Sequence, residues 1–191
     1  MLVEWCRFVE RYSDVTEGDI CVDYTERASV GTLAAAVWKV GGVALEEFQW
    51  DKGRGGRKTG NGRADLWIQC DAKRPKHEYV EVKRTRLSLK SKRNVEFAQR
   101  ALVHAVEDAR KTIYTEPESN AVALAFLPVR LLEKDRKALP VLIERQCNEF
   151  LKARKSELKF DAIAWCFPAR NQEYVDDTYI TPGAILLAKK I

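Results

Sequence analysis

Apolar and polar positions alternate along the chain with two different periods, and the switches between them mark out the elements. Over residues 25–40, Val30, Leu33, Val37 and Val40 recur at three- and four-residue spacing, which predicts a helix with one apolar stripe. Gly41-Gly42 follows, as glycine commonly does after a final helical turn. Residues 43–50 read as a strand, 51–63 as a glycine-rich basic loop, and 62–68 and 79–83 as two short strands. A long amphipathic helix is predicted from about 95 to 114, with Phe97, Ala101, Leu102, Ala105, Val106, Ala109 and Ile113 at helical spacing. The apolar run 121–127 is short enough for a buried strand, which Pro128 is expected to end. The predicted order is helix, three strands, helix, strand. Outside it, residues 2–12, with Val3, Cys6, Phe8 and Val9, read as a short helix packed on the outside. A helix over about 140–155, with proline near its first turn, precedes strands at 160–167 and 184–188. These two either extend the sheet or pair with a second subunit.

Charges set into apolar strands stand out from this pattern. Asp65 lies in Gly62-Arg63-Ala64-Asp65-Leu66-Trp67-Ile68, and Glu81 and Lys83 in Tyr79-Val80-Glu81-Val82-Lys83. Strand side chains alternate between faces, so Glu81 and Lys83 point one way and Val80 and Val82 the other. Pairing of the two strands brings Asp65 to the same face. Buried without partners, such charges cost several kcal/mol. Glu26 sits four residues before Val30, so it projects from the inward stripe one turn earlier. There it either reaches a site beside the sheet or, as a first-turn carboxylate, complements the helix dipole.

With these residues in this order, the chain resembles the PD-(D/E)xK nuclease superfamily. The resemblance covers roughly residues 24–129 and implies an α/β fold. The implied fold is a restriction-endonuclease-like αβββαβ core, to which residues 130–191 are expected to add a helix and two strands within a single domain. It matches Asp65 to the first acid, Glu81 to the second, Lys83 to the motif lysine and Glu26 to the helix glutamate of many members. Ala64 stands where the motif's name has proline. The implied cofactor is Mg²⁺ or Mn²⁺, held by Asp65, Glu81, the Val82 carbonyl and, for the same or a second ion, Glu26. A hard cation suits such oxygen ligands and keeps several waters. Lys83 is expected to orient or deprotonate the attacking water or to stabilise the transition state.

Charge distribution adds a substrate class. The chain carries 33 Lys+Arg against 28 Asp+Glu, a net of only +5 that many enzymes share. Residues 51–63 hold five bases (Lys52, Arg54, Arg57, Lys58, Arg63) and one acid. Residues 73–93 hold nine bases, among them Lys83, Arg84, Arg86, Lys90, Lys92 and Arg93, and two acids. Both basic blocks flank the acids, as binding to a phosphate backbone requires, so DNA is the expected partner. Lys58-Thr59 after glycines imitates a phosphate-binding loop, but Arg57 replaces the glycine before the lysine and no helix follows. No nucleotide cofactor is therefore expected.

Five cysteines (Cys6, Cys21, Cys70, Cys147, Cys166) show neither CxxC spacing nor a nearby histidine, so zinc is not expected, and their odd number fits a reducing cytoplasm. No apolar run approaches the length of a membrane span. The expected function is a metal-dependent DNA endonuclease of restriction, repair, junction-resolving or phage-defence type, acting as a homodimer. The helix glutamate and basic inter-strand loop are also similar to archaeal-type Holliday junction resolvases. The alternatives are a catalytically silent nucleic-acid-binding module of the same fold and a non-nuclease α/β protein with salt-bridged acids.

Overall fold

A computed structural model describes residues 1–54, 57–70, 77–115 and 119–191, without the side chains at 51, 53, 54, 57–61 and 115. Helix α1 (Leu2–Val15) and a 3₁₀ turn at Cys21–Asp23 lead into α2 (Glu26–Lys39). Strands β1 (Val43–Arg54), β2 (Arg57–Gln69), β3 (Glu78–Arg84) and the two-residue β4 (Leu87–Ser88) precede α3 (Asn94–Thr112). Then come β5 (Asn120–Leu132), α4 (Leu139–Ala153), β6 (Ala162–Cys166) and β7 (Tyr179–Lys190). The predicted helix, three strands, helix and strand are thus all present, with β4 added.

Among the described residues, the strands form one mixed, mostly antiparallel open sheet in the order β1-β2-β3-β5-β7-β6, with β4 beside β5. Only β3 and β4 run parallel to β5. Strands β6 and β7 therefore extend the sheet, β7 lying between β5 and β6. Central strand β5 shows why its sequence is nearly all apolar. Ala121, Ala123, Ala125, Leu127, Val129 and Leu131 face one core with α3 and α4, while Leu124 and Phe126 face a second core with α1 and α2. The sheet is sandwiched between two helical layers.

Several expectations change. The stretch 51–63 is not a long loop: β1 and β2 remain paired from Asp51↔Asn61 out to Arg54↔Arg57, with a register shift after Lys52. Backbone pairing outweighs the weak strand preference of glycine because both strands lengthen together. Pro128 does not end β5, which runs on to Leu132. Phe126 and Arg130 turn their carbonyls towards Thr85 and Leu89, so the missing proline N–H faces the break where β3 gives way to β4. On α1, Val3 and Phe8 are exposed, and Trp5 and Val9 supply the packing. Trp5 stacks edge-on against Phe126 with ring centroids 5.9 Å apart, and its indole N–H donates to Thr32 Oγ1 at 3.0 Å.

The end of α2 was legible. Gly42 N–H donates to the Val37 carbonyl and Gly41 N–H to that of Trp38, each at 3.0 Å, and Gly41 adopts φ 81°. This is the paired closure that glycine permits past a helix end.

Candidate functional site

Strand β3 fixes Glu81 and Lys83 on the α3 face of the sheet, and α3 answers them with Thr112 and Asp108. Thr112 Oγ1 donates to Glu81 Oε1 at 2.5 Å, and Lys83 Nζ lies 3.0 Å from Asp108 Oδ2. The spacing explains the match. Two residues along a strand span about 6.6 Å and four along a helix about 6 Å, so an i,i+2 pair meets an i,i+4 pair in register. The small residues Ala101, Ala105 and Ala109 let α3 lie close enough for this to happen.

Glu81 is 1% exposed and also accepts from Lys52 Nζ at 2.8 Å. Lys52 reaches it across Gly62, where an added Cβ would stand 2.7 Å from Lys52 Cγ. Burial pushes the Glu81 carboxyl up to about 7, and the nearby charge of Asp65 adds to this, against the pull of Lys52 and Thr112. Lys83 is held above its ordinary value by Asp108 and Glu26, which outweigh the opposing effect of burial.

Asp65 enters where the β2–β3 ladder stops. Backbone pairing runs from Ile68↔Glu78 to Leu66↔Val80; beyond it, Asp65 Oδ2 accepts the Val82 N–H at 2.8 Å. The carboxylate replaces the next rung of the ladder. In β1 the register passes from Glu46↔Leu66 to Phe48↔Ala64, and Glu47, level with Asp65, adopts φ 45°. Glu26 arrives from the first turn of α2, which Thr25 caps through the Ala28 N–H. Glu26 Oε2 accepts the Arg84 N–H at 2.9 Å, and Oε1 lies 4.0 Å from Lys83 Nζ. Burial raises its pKa despite Lys83, and Asp65 adds to the rise. Of the two sequence readings of Glu26, the structure thus places it at the helix start and also beside the strand residues.

The four motif residues are therefore gathered where the pairing of β2 with β3 stops, each held by an internal partner. Among the described residues, no three His, Cys, Asp or Glu side chains form a group able to hold a metal ion. The basic residues divide differently from their sequence blocks. Lys52 belongs to the Glu81 site, and Arg84 is only 12% exposed in its side chain and bound to Asp23. Arg86 also reaches Asp23, Arg63 pairs with Glu47, Lys90 with Asp135 and Arg93 with Glu96; Lys92 is exposed. The side chains of Arg54, Arg57 and Lys58 lie outside the described residues.

Asp108, Thr112 and Asp23 were not singled out from the sequence. Asp108 and Thr112 had one available signal: polar residues four apart next to the alanine face of an otherwise apolar helix stripe. Asp23 had none.

No family model, curated protein or solved structure matches this chain. Among the described residues, no helix is long and apolar enough to cross a membrane.

Proposed function

We propose that the chain is a metal-dependent DNA endonuclease with a restriction-endonuclease-like core, acting at the Asp65–Glu81–Lys83 site. The observation that carries this reading is the buried Glu81 carboxyl, set beside Asp65 at the point where β2 and β3 part. Burial and the charge of Asp65 raise the cost of ionising Glu81, and the fold nevertheless keeps both acids. A structural role would be served by one acid or by an apolar pair.

The residues fit a hard divalent ion: two carboxylates from neighbouring strands, with water completing the shell, are the donor set that Mg²⁺ or Mn²⁺ takes. Asp65 and Glu81 would hold it, with the carbonyl of Val82, which directly follows Glu81, and with Glu26 at the margin. Such an ion lowers the pKa of water and neutralises charge on a phosphate. The chain's own residues do the rest. Thr112 and Lys52 fix the Glu81 carboxylate in one orientation. Lys83, cationic and braced by Asp108, presents a positive charge 4.0 Å from Glu26, where negative charge developing on a phosphate would be stabilised. A homodimer would set one such site against each strand of a duplex.

One observation favours the silent binding module. Lys52 already neutralises Glu81, and Lys83 is already tied to Asp108. The deciding experiment is cleavage of labelled duplex, single-stranded and four-way-junction DNA in Mg²⁺, Mn²⁺ or EDTA, with wild type beside Lys83→Ala. The variant should fold, because Asp108 keeps Lys111 as a partner at 2.7 Å. Metal-dependent cutting that falls at least ~100-fold in the variant, the usual scale for a positioned catalytic group, supports the nuclease. Salt-sensitive binding without cutting by wild type supports the silent module. Neither binding nor cutting removes both.

A further inference from the structure

Beyond the end of β3, three arginines from three segments converge on one acid. Asp23 Oδ1 accepts from Arg84 Nη2 at 2.8 Å and from Arg86 Nε at 2.9 Å, and Oδ2 accepts from Arg130 Nη2 at 2.7 Å. The Asp23 carbonyl accepts from both Arg84 and Arg86, and the Val22 carbonyl from Arg84 Nε at 2.9 Å. We propose that Arg84, Arg86 and Arg130, templated by Asp23, form a clamp for one phosphodiester group of the nucleic-acid strand that passes the Asp65–Glu81 site. The proposal rests on the nuclease reading above and gives it a backbone-binding subsite.

Charge is the first argument. Three guanidiniums share one carboxylate, which leaves an excess of two positive charges, three less one, in a cluster at the surface. Anchoring the 3₁₀ turn to the sheet needs one arginine, since a single guanidinium can bridge a carboxylate through two donors. The other two add repulsion: Asp23 is the carboxylate that each of the three reaches, and Glu26 offsets only part of it, acting on Arg84. Burial, and the like charges of Arg86 and Arg130, hold Arg84 below its ordinary value although Asp23 and Glu26 pull the other way. An incoming anion relieves that repulsion.

Donor inventory is the second. Arg130 Nε is buried with no acceptor, and its guanidinium is held in place over the Tyr179 ring, 5.9 Å from the centroid. Arg86 is 45% exposed in its side chain yet fixed through two hydrogen bonds. Guanidiniums immobilised in advance, with donors left over, lose little freedom when a phosphate binds. Position is the third. Arg84 directly follows Lys83, and its backbone N–H is the one that Glu26 accepts. A strand lying in the clamp therefore continues directly into the candidate site.

The test is the salt dependence of binding to a fluorescent DNA duplex in EDTA, read by anisotropy. Arg86→Gln leaves Asp23 two arginines and keeps the turn anchored. It should weaken binding several-fold and reduce the slope of log Kd against log salt by about 1, the loss expected for one phosphate contact. Arg130→Gln should do the same, and Arg86→Lys, which keeps the charge, should restore the slope. Arg100→Gln, an exposed change on α3 at a residue paired with Glu96, supplies the charge control. If wild type binds with a steep slope and Arg86→Gln and Arg130→Gln match Arg100→Gln, the clamp is wrong and the nuclease reading stands. If wild type shows no salt-dependent binding, both fall.

Discussion

The carboxylate of Asp65 takes the Val82 N–H at the point where backbone pairing between β2 and β3 ends, so the residue has a structural role separable from any catalytic one. Val82 is fully buried, and losing the acceptor leaves its N–H unsatisfied at a cost of about 1–3 kcal/mol. Asp65→Asn retains an acceptor oxygen; Asp65→Ala does not. Both remove the charge that Glu81 feels, so comparing the two isolates the hydrogen bond. Urea unfolding should show the alanine variant less stable than the asparagine variant by that amount, while, under the proposed function, both lose metal-dependent cutting. Equal stability of the two would mean that the N–H finds another acceptor.

At the scale of elements, α1 is held to the molecule through a small number of large contacts. Trp5 is fully buried between Phe126 of β5 and Thr32 of α2, and Val9 is the other fully buried apolar residue of the helix. Trp5→Ala should therefore cost about 3–5 kcal/mol, as large aromatic deletions in cores do. Trp5→Phe, which keeps most of the volume, should cost distinctly less. Denaturant midpoints of the two variants measure this, and a midpoint for Trp5→Ala close to wild type would show that α1 is dispensable. The same scale governs the site: the Asp108–Thr112 spacing on α3 matches Lys83–Glu81 on β3 because four helical residues and two strand residues advance by nearly the same distance.

For the whole molecule, Glu81 sets a pH dependence of opposite sign to the usual one. Glu81 is raised to about 7 by burial and by Asp65, so the native state holds its proton more tightly than the unfolded chain does. Its stabilising contribution is then full below the ordinary glutamate range and is lost as pH rises through about 7. A shift of this size is on the order of 3 kcal/mol. Thermal melts of wild type and Glu81→Gln from pH 5 to pH 8, without divalent metal, should diverge steadily, with wild type losing ground to the variant. Parallel curves would show that Glu81 titrates normally. Under the proposed function, Mg²⁺ should reverse the divergence at high pH by binding the ionised pair.

Local periodicity determined the order of elements. The helix starting near Thr25, the strands carrying Asp65 and Glu81, the alanine-rich helix and the buried strand through Leu127 each announce themselves within a dozen residues. The side on which Glu81 and Lys83 point followed from strand alternation alone. The partners of those charges were decided elsewhere. Lys52 meets Glu81 across 29 positions, Thr112 meets it across 31, and Arg130 meets Asp23 across 107. Such meetings depend on sheet order, strand register and the packing of α3, all properties of the assembled fold. Of the two basic blocks read from sequence as binding DNA, tertiary structure makes Lys52 an internal counter-charge for Glu81, sets Arg84 and Arg86 on Asp23, and pairs Arg63, Lys90 and Arg93 with other acids. The reason is physical: periodicity encodes which face a residue takes, but only the folded sheet sets the distance between two charges.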